Sequence, residues 1–479
     1  MNTVHPGSMN DYYSDPERSR ALRRAATASF IGNFIEWFDY ASYGYLATVI
    51  GLVFFPEADK SVQLMSTFAV FAMSFILRPV GAVVWGAWGD RWGRRWALSW
   101  SILIMSGSTF FIGLLPTYSV IGIAGAIGLL LLRMIQGFSA SGEYAGAGTF
   151  LAEYAPPSRR GIYTSLVPAS TACGLLAGSL MVTGTFWLMR LDTVIHIWKW
   201  SISLNDDAMN TWGWRIPFLL AGPLGLIGRY IRVHLEDSPA YQEMRAEMPQ
   251  EEKSESWSEP LRLLLREHLH DTLITFGVSC LNAVAFYMLL SYMPTYVHEE
   301  LGFSRDTATL ATSVMLVVYI ISIFIMGHLS DSFGRRRMLI AACVAFIVLT
   351  IPLFVVMTKA TDIVATIPLF AFMTKATGML LVVILCQVVF AIILTANDGT
   401  LATFLAESFP TNVRYSGFAL SFNGANALLG GTTPFIVTWL IKVTGSPLAP
   451  AVYLTVVALI AMVAIFQSRT IHGSELTEK

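Results

Sequence analysis

Long apolar runs restrict what this chain can fold into more than any other feature. A helix needs about 20 mostly apolar residues to cross the hydrocarbon core of a bilayer, and twelve such runs occur. Their cores are Ala26 to Val53, Val62 to Trp85, Ala97 to Leu115, Ile121 to Ala152, Tyr163 to Met189 and Trp212 to Val233, then Thr272 to Val297, Thr307 to Leu329, Met338 to Met357, Ile367 to Leu405, Gly417 to Ile441 and Ala449 to Phe466. The fourth and tenth exceed one span, so their ends lie outside the core, tilt or break. Composition agrees: 54% of residues are hydrophobic and 13% charged, with a mean hydropathy of +0.59, far from the balance of a soluble globular protein. The expected class is an all-α membrane protein with twelve transmembrane helices.

Several functions are excluded by what is missing. A formal net charge of -1 gives no basic footprint for nucleic acid. The four cysteines, Cys173, Cys280, Cys343 and Cys386, lie inside apolar runs without a C-x-x-C pair, so they indicate neither a metal site nor a disulfide framework and are read as packing residues. No H-E-x-x-H or G-x-S-x-G occurs in a span, which argues against an enzyme. A substrate-sensing receptor would usually append a signalling domain, and the tails are short. The polar N-terminus, "MNTVHPGSMNDYYSDPERSRALRRA", lacks the apolar core and cleavage site of a signal peptide and is expected to be a retained cytoplasmic tail.

Orientation follows the arginines and lysines. The tail carries Arg18, Arg20, Arg23 and Arg24, and the even-numbered connections carry Arg91, Arg94, Arg95, Arg159, Arg160, Arg335, Arg336, Arg337 and Arg414. Opposite connections carry few, among them Lys60, Arg190, Lys199, Arg305, Lys359 and Lys375. Both termini are therefore expected inside the cell. The longest polar segment, beginning at His234, divides the spans into two sets of six. The expected organisation is a tail over 1–24, a six-helix bundle over 25–233, a cytoplasmic connector over 234–270, a second bundle over 271–469 and a short tail over 470–479.

The two sets are copies of one unit. "GAWGDRWGRR" from Gly86 and "GHLSDSFGRR" from Gly327 share G-x-x-x-D-x-x-G-R-R and lie 241 residues apart; "LAEYAPPSRRGIYTS" from Leu151 and "LAESFPTNVRYSGFA" from Leu405 lie 254 apart. Two related bundles that rock about a midplane site are a transporter architecture. The offsets differ because "TIPLFVVMTKATDIVA" from Thr350 is followed directly by its near-copy "TIPLFAFMTKATGMLL", an insertion read as a tolerated loop extension or, alternatively, as part of an extracellular gate. In the first repeated loop Gly86 and Gly93 permit a tight turn, while Asp90 can pair with Arg91 or Arg94 and accept from a helix N-terminus. Gly327, Asp331, Gly334 and Arg335 are the matching set in the second loop. They are expected to act as a gating latch, with the alternative that the arginines only set topology.

A charge at bilayer depth costs at least ~2.5 to 3.5 kcal/mol on insertion scales, so each one requires a reason. Glu36 and Asp39 in "NFIEWFDYASYGY" share one helical face with Asn33, Tyr40 and Tyr43. Repulsion and burial both favour a proton on one of the two acids, and proton coupling needs such a group. Arg133, with Gln136 one turn on, can bind a substrate carboxylate, neutralise a first-span acid, or form a structural ion pair. Glu143 and Asp398 are further membrane carboxylates and join Glu36 and Asp39 as proton-coupling candidates; Asn397 is the repeat mate of Glu143. Asn33, Tyr40, Tyr43, Arg133, Gln136, Asn282, Tyr287 and Asn397 form the expected substrate-binding set, the aromatics offering cation-π attraction to a quaternary ammonium. Arg78 is placed near the loop motif, outside this set.

The stretches "GNFIEWFDYASYGY", "FILRPVGAVVWGAWGDRWGRR", "RMIQGFSASGEYAGAGTFLAEYAPPSRRG", "WGWRIPF", "LEDSPAY", "YMLLSYMPTYV" and "GHLSDSFGRR" resemble the major facilitator superfamily, and within it the metabolite:proton symporters. "GGTTPFIVTWLIKVTGSPLAPAVYLT" from Gly430 makes the proline/glycine-betaine proton symporters the nearest likeness. The resemblance implies the major facilitator fold of two pseudo-symmetric six-helix bundles. It also implies proton-coupled uptake of a small zwitterion by alternating access across a bacterial inner membrane, with no cofactor and H+ as coupling ion. A di- or tricarboxylate such as citrate, 2-oxoglutarate or shikimate is the alternative substrate. It would need about two deep cations, and only Arg133 is evident. Some osmosensory members carry a C-terminal coiled coil that the sequence to Lys479 does not contain, so regulation of that kind is not expected. The expected partners are a small solute and the lipid bilayer, for a monomer.

Overall fold

A computed structural model of the chain describes residues 16–233, 264–360, 375–409 and 413–468, apart from 83, 86–93, 192, 198–199 and 265. The tails, most of the connector and the centre of the tandem duplication lie outside the described residues.

The first half contains α1 (Pro16–Tyr45), continued as Ala47–Phe54; α2 (Lys60–Ile76); α3 (Arg94–Leu114); α4 (Ile123–Ser139), which resumes as Glu143–Tyr154; α5 (Leu166–Met189), preceded by a short Arg160–Thr164 helix; and α6 (Arg215–Val233). The second half contains α7 (Leu269–Phe286), continued through a π turn at Tyr287–Tyr292 to Met293–Glu299; α8 (Arg305–Phe333); α9 (Arg335–Thr358); α10 (Lys375–Glu407); α11 (Arg414–Ala425), continued through Asn426–Gly430 to Thr433–Thr444; and α12 (Ala449–Gln467). Among the described residues nine helical stretches are long and apolar enough to cross a membrane; α1, α3 and α6 occupy the positions of the remaining spans. The overlong fourth run breaks at the 3-10 turn Ala140–Gly142. The tenth is one continuous helix over its described residues, Lys375–Glu407, and its expected start at Ile367 lies outside the described residues.

Local signals explain several ends. Asp59 caps α2, its carboxylate accepting from the Val62 amide at 3.0 Å, and Ser304 caps α8 through the Thr307 amide; both satisfy amides that the first turn leaves without partners. Gly334, between α8 and α9, has φ +91°, a backbone region that only glycine enters without strain. The structure adds one antiparallel hairpin that the sequence reading treats as plain connection: β1 (Thr193–Ile197) pairs with β2 (Trp200–Leu204), Thr193 opposite Leu204 and Ile197 opposite Trp200. "TVIHI" and "WSISL" are rich in the β-branched and aromatic residues that favour strands, and they fall outside the hydropathy pattern of a span.

Packing repeats between the halves. In the first, α1 packs on α5, α2 on α4 and α3 on α6; in the second, α7 packs on α11, α8 on α10 and α9 on α12. The halves meet where α5 crosses α8 and where α2 meets the later segment of α11, contacts that the same pseudo-symmetry exchanges. Apolar side chains such as Ile127, Leu131, Ile321 and Val348 stay exposed around the outside, the face a membrane protein turns to lipid. The core lies between the halves, where polar and aromatic side chains converge.

Candidate functional site

Glu36 and Asp39 are both fully buried and three residues apart on α1, yet their surroundings differ. Arg78 donates to Glu36 at 2.5 Å with both side chains buried. Asp39 has no ion-pair partner among the described residues: Oδ2 accepts from the Thr109 hydroxyl at 3.1 Å and Oδ1 has no hydrogen bond. Thr109 in turn accepts from the Gln136 amide at 2.9 Å, and Gln136 accepts from Arg133. Arg133 and Asp39 are thereby joined through two neutral side chains, a chain in which each bond polarises the next.

The two guanidinium groups sit in an aromatic box. Arg133 lies over Tyr43 at 4.3 Å, Tyr40 at 4.9 Å and Phe71 at 5.2 Å from the ring centres. Arg78 lies over Phe75 at 4.5 Å and Tyr40 at 4.9 Å. Such faces partly compensate a buried cation. Arg133 keeps Nε and Nη2 without hydrogen-bond partners, which is donor capacity for an incoming anion. The box reaches the second half through Tyr287, 5.7 Å from Trp37 and 5.1 Å from Phe75 between ring centres, with its hydroxyl unpartnered.

The structure thus brings together Glu36, Asp39, Tyr40, Tyr43, Arg133, Gln136 and Tyr287. Asn33 is spent elsewhere: its amide donates to the Val167 carbonyl, Ser170 and Thr171 at 2.6 to 2.9 Å, fastening α1 to α5. Tyr43 anchors its hydroxyl on the Thr67 carbonyl at 2.9 Å. Glu143 is buried and accepts from Ser101 at 3.3 Å. Asn282, Asn397 and Asp398 form a separate group in the second half; Asn282 donates to Asp398 at 2.6 Å, and the amide of Asn397 is buried without a partner.

The sequence reading misplaces Arg78. It sits beyond α2 in the chain, beside the repeated loop, but its long side chain reaches the midplane box and is only 2% exposed. Distance along the chain underestimates how far an arginine extends back along its helix. The surplus arginine in "FILRPVG", within an apolar run and apart from the loop arginines, is the signal that could have found it. Thr109 was missed because a threonine hydroxyl in an apolar helix usually bonds its own backbone, and Tyr319, whose hydroxyl donates to Asp398 at 2.5 Å, because its ring reads as packing in an apolar run.

Both ends of the site are bridged by contacts between the halves. At the end carrying the repeated loops, Asp331 accepts from the amides of Gly161 and Ile162 at 2.8 and 3.1 Å, at the start of the short Arg160–Thr164 helix. Arg335 pairs with Asp331 at 2.7 Å and approaches Glu407 at 3.6 Å; Arg160 pairs with Glu407 at 3.0 Å. Arg160 and Arg414, 254 residues apart, each donate Nε to the carbonyl eight residues back, Ala152 and Ala406, so the repeat extends to single hydrogen bonds. A Cβ on Gly327 would lie 2.1 Å from the Ser165 hydroxyl, so glycine permits this approach. Gly86, Asp90, Arg91 and Gly93 lie outside the described residues, and Arg94 opens α3 with its side chain likewise outside them. At the opposite rim Lys60 meets Glu299 at 2.7 Å and Arg190 meets Asp306 at 2.9 Å. Asp59 there is held below the usual carboxylate range by the Val62 amide and the Ser61 hydroxyl.

Residues 25–382 and 275–477 match the family described as Major Facilitator Superfamily. The chain belongs to the major facilitator superfamily. It is 37% identical over 453 residues to a glycine betaine/proline/ectoine/pipecolic acid transporter, OusA, of Dickeya dadantii, covering 94% of this chain and 84% of that one. A proline/betaine transporter of Salmonella typhimurium is 37% identical, over 92% of this chain and 82% of that protein. An ectoine/proline transporter, ProP, of Corynebacterium glutamicum is 34% identical, over 93% and 84%. Among solved structures, the proton:xylose symporter XylE bound to 6-bromo-6-deoxy-D-glucose superposes with a TM-score of 0.70 at 17% identity, over 94% of this chain and 95% of that one. This major facilitator protein is a multi-pass secondary transporter, not an enzyme.

Proposed function

We propose that this major facilitator protein takes up a small zwitterionic solute of the proline or glycine betaine class, driven by protons moving down their gradient, in a bacterial plasma membrane with both termini cytoplasmic. The observation that carries the reading is the asymmetry of the two buried ion sites. Arg78 is neutralised by Glu36, whereas Arg133 has a neutral amide as its direct partner and two nitrogens unused. One uncompensated guanidinium in an aromatic box suits one carboxylate. A di- or tricarboxylate would ask for a second free cation, and Arg78 is already paired. The names of the relatives support the same solute class.

Asp39 is the proton carrier in this reading. Glu36 is engaged by Arg78, whereas Asp39 has a hydroxyl and an unfilled acceptor position around it and no ion-pair partner among the described residues. Its relay to Arg133 couples the two events: a solute carboxylate on Arg133 removes the positive charge that favours ionised Asp39, so solute and proton bind together. Competition among proline, glycine betaine, citrate, 2-oxoglutarate and shikimate for uptake into proteoliposomes tests the solute class. Inhibition by the zwitterions alone is expected, and inhibition by the acids alone would overturn it.

A further inference from the structure

We propose that Asp398 is the partner of the solute's cationic end, a subsite in the second half that the aromatic box of the first half does not supply; this rests on the zwitterion reading above. Asp398 is 1% exposed. Asn282 of α7 donates to one oxygen at 2.6 Å and Tyr319 of α8 to the other at 2.5 Å, so three helices meet on one carboxylate. Both donors are neutral, and among the described residues no cation pairs with it. Glu36 has Arg78, Glu407 has Arg160 and Arg335, and Asp39 is wired to Arg133. Asp398 alone of these four has no positive charge in its network. A buried carboxylate without a countercharge is costly, and a ligand cation supplies the missing charge.

Position supports the same role. The 254-residue repeat maps Tyr144 onto Asp398, and the helical segments that carry them, Glu143–Tyr154 and α10, pack against each other across the halves. Tyr144 also stacks flat on Phe422 of α11, with ring centres 4.2 Å apart and planes at 5°. A buried carboxylate that holds only neutral donors is the group that attracts an alkylammonium. The buried amide of Asn397, next in the chain, has no partner for either of its polar atoms and adds spare polar capacity at the same level. A bound metal is disfavoured, since among the described residues no three His, Cys, Asp or Glu side chains are grouped to hold one. With the solute carboxylate on α4 and its ammonium on α10, binding joins the two halves, which is what closure around a substrate requires.

Binding to the full-length protein in nanodiscs separates this subsite from the rest. Glycine betaine is compared with 3,3-dimethylbutanoate, its uncharged-head isostere, in which carbon replaces the ammonium nitrogen. In the wild type betaine should bind at least about tenfold tighter, the scale of a charge-assisted contact, and Asp398→Asn should erase the ratio by weakening betaine and sparing the isostere. Asp398→Glu, with the charge kept on a longer arm, should retain a preference for the charged ligand; it serves as the working variant if Asp398→Asn elutes as aggregate, and loss of its preference would then count against the subsite. Persistence of the wild-type ratio in Asp398→Asn overturns the subsite and leaves the zwitterion reading intact. Wild-type protein that binds neither betaine nor proline overturns both.

Discussion

At the scale of single residues, the two acids of α1 separate by their neighbours. Glu36 is bound to a buried arginine, and removing one partner of such a pair typically costs about 3 to 5 kcal/mol because the other charge is left uncompensated. Glu36→Gln should therefore lower the yield and thermal stability of folded protein, and Glu36→Gln with Arg78→Gln should recover much of the loss; a double variant less stable than either single one would contradict this. Asp39→Asn should fold, exchange solute across the membrane and fail to accumulate it. Counterflow measured beside gradient-driven uptake distinguishes these, and full accumulation by Asp39→Asn would return the proton to another acid. The sequence marks both carboxylates as anomalous, because charge in a span is always costly. It does not say which has a cation, since that depends on which acid the Arg78 side chain reaches from the far end of the second span.

At the scale of elements, the second copy of the repeated loop joins a carboxylate to a helix start across the halves, the contact a gating latch would use. Asp331 collects two backbone amides from the other half and Arg335 from its own, and charge-assisted hydrogen bonds contribute about 1.5 to 3 kcal/mol each. Asp331→Ala should shift the population toward the state open at this end by tenfold or more, read as faster labelling of a cysteine introduced behind the latch. Labelling unchanged from wild type would reduce the motif to a topology signal. Gly327→Val should act in the same direction by forbidding the close approach to Ser165. Span positions were legible because hydropathy records them directly. The 3-10 break in α4 and the π turns in α7 and α11 were not, because they answer to packing between helices. The hairpin of β1 and β2 was missed because its strands are short and lie in a connection.

For the whole molecule, the internal repeat carries the most information. Motifs 254 residues apart place Arg160 and Arg414 in the same hydrogen bond, each to the carbonyl eight residues back. The fold class was legible for that reason. The division of labour between the halves was not, because the chemistry is where the copies differ: the first half holds Arg78 and Arg133, and the second holds Asp398 where the first has Tyr144. The central claim is that solute movement is coupled to protons through such a molecule. Proteoliposomes containing the purified protein, loaded at neutral pH and diluted into acidic buffer, test it most directly. Radiolabelled proline or glycine betaine should accumulate several-fold above equilibration, lose that excess on adding a protonophore, and do so equally with or without sodium; accumulation that follows a sodium gradient and ignores the pH difference would contradict proton coupling.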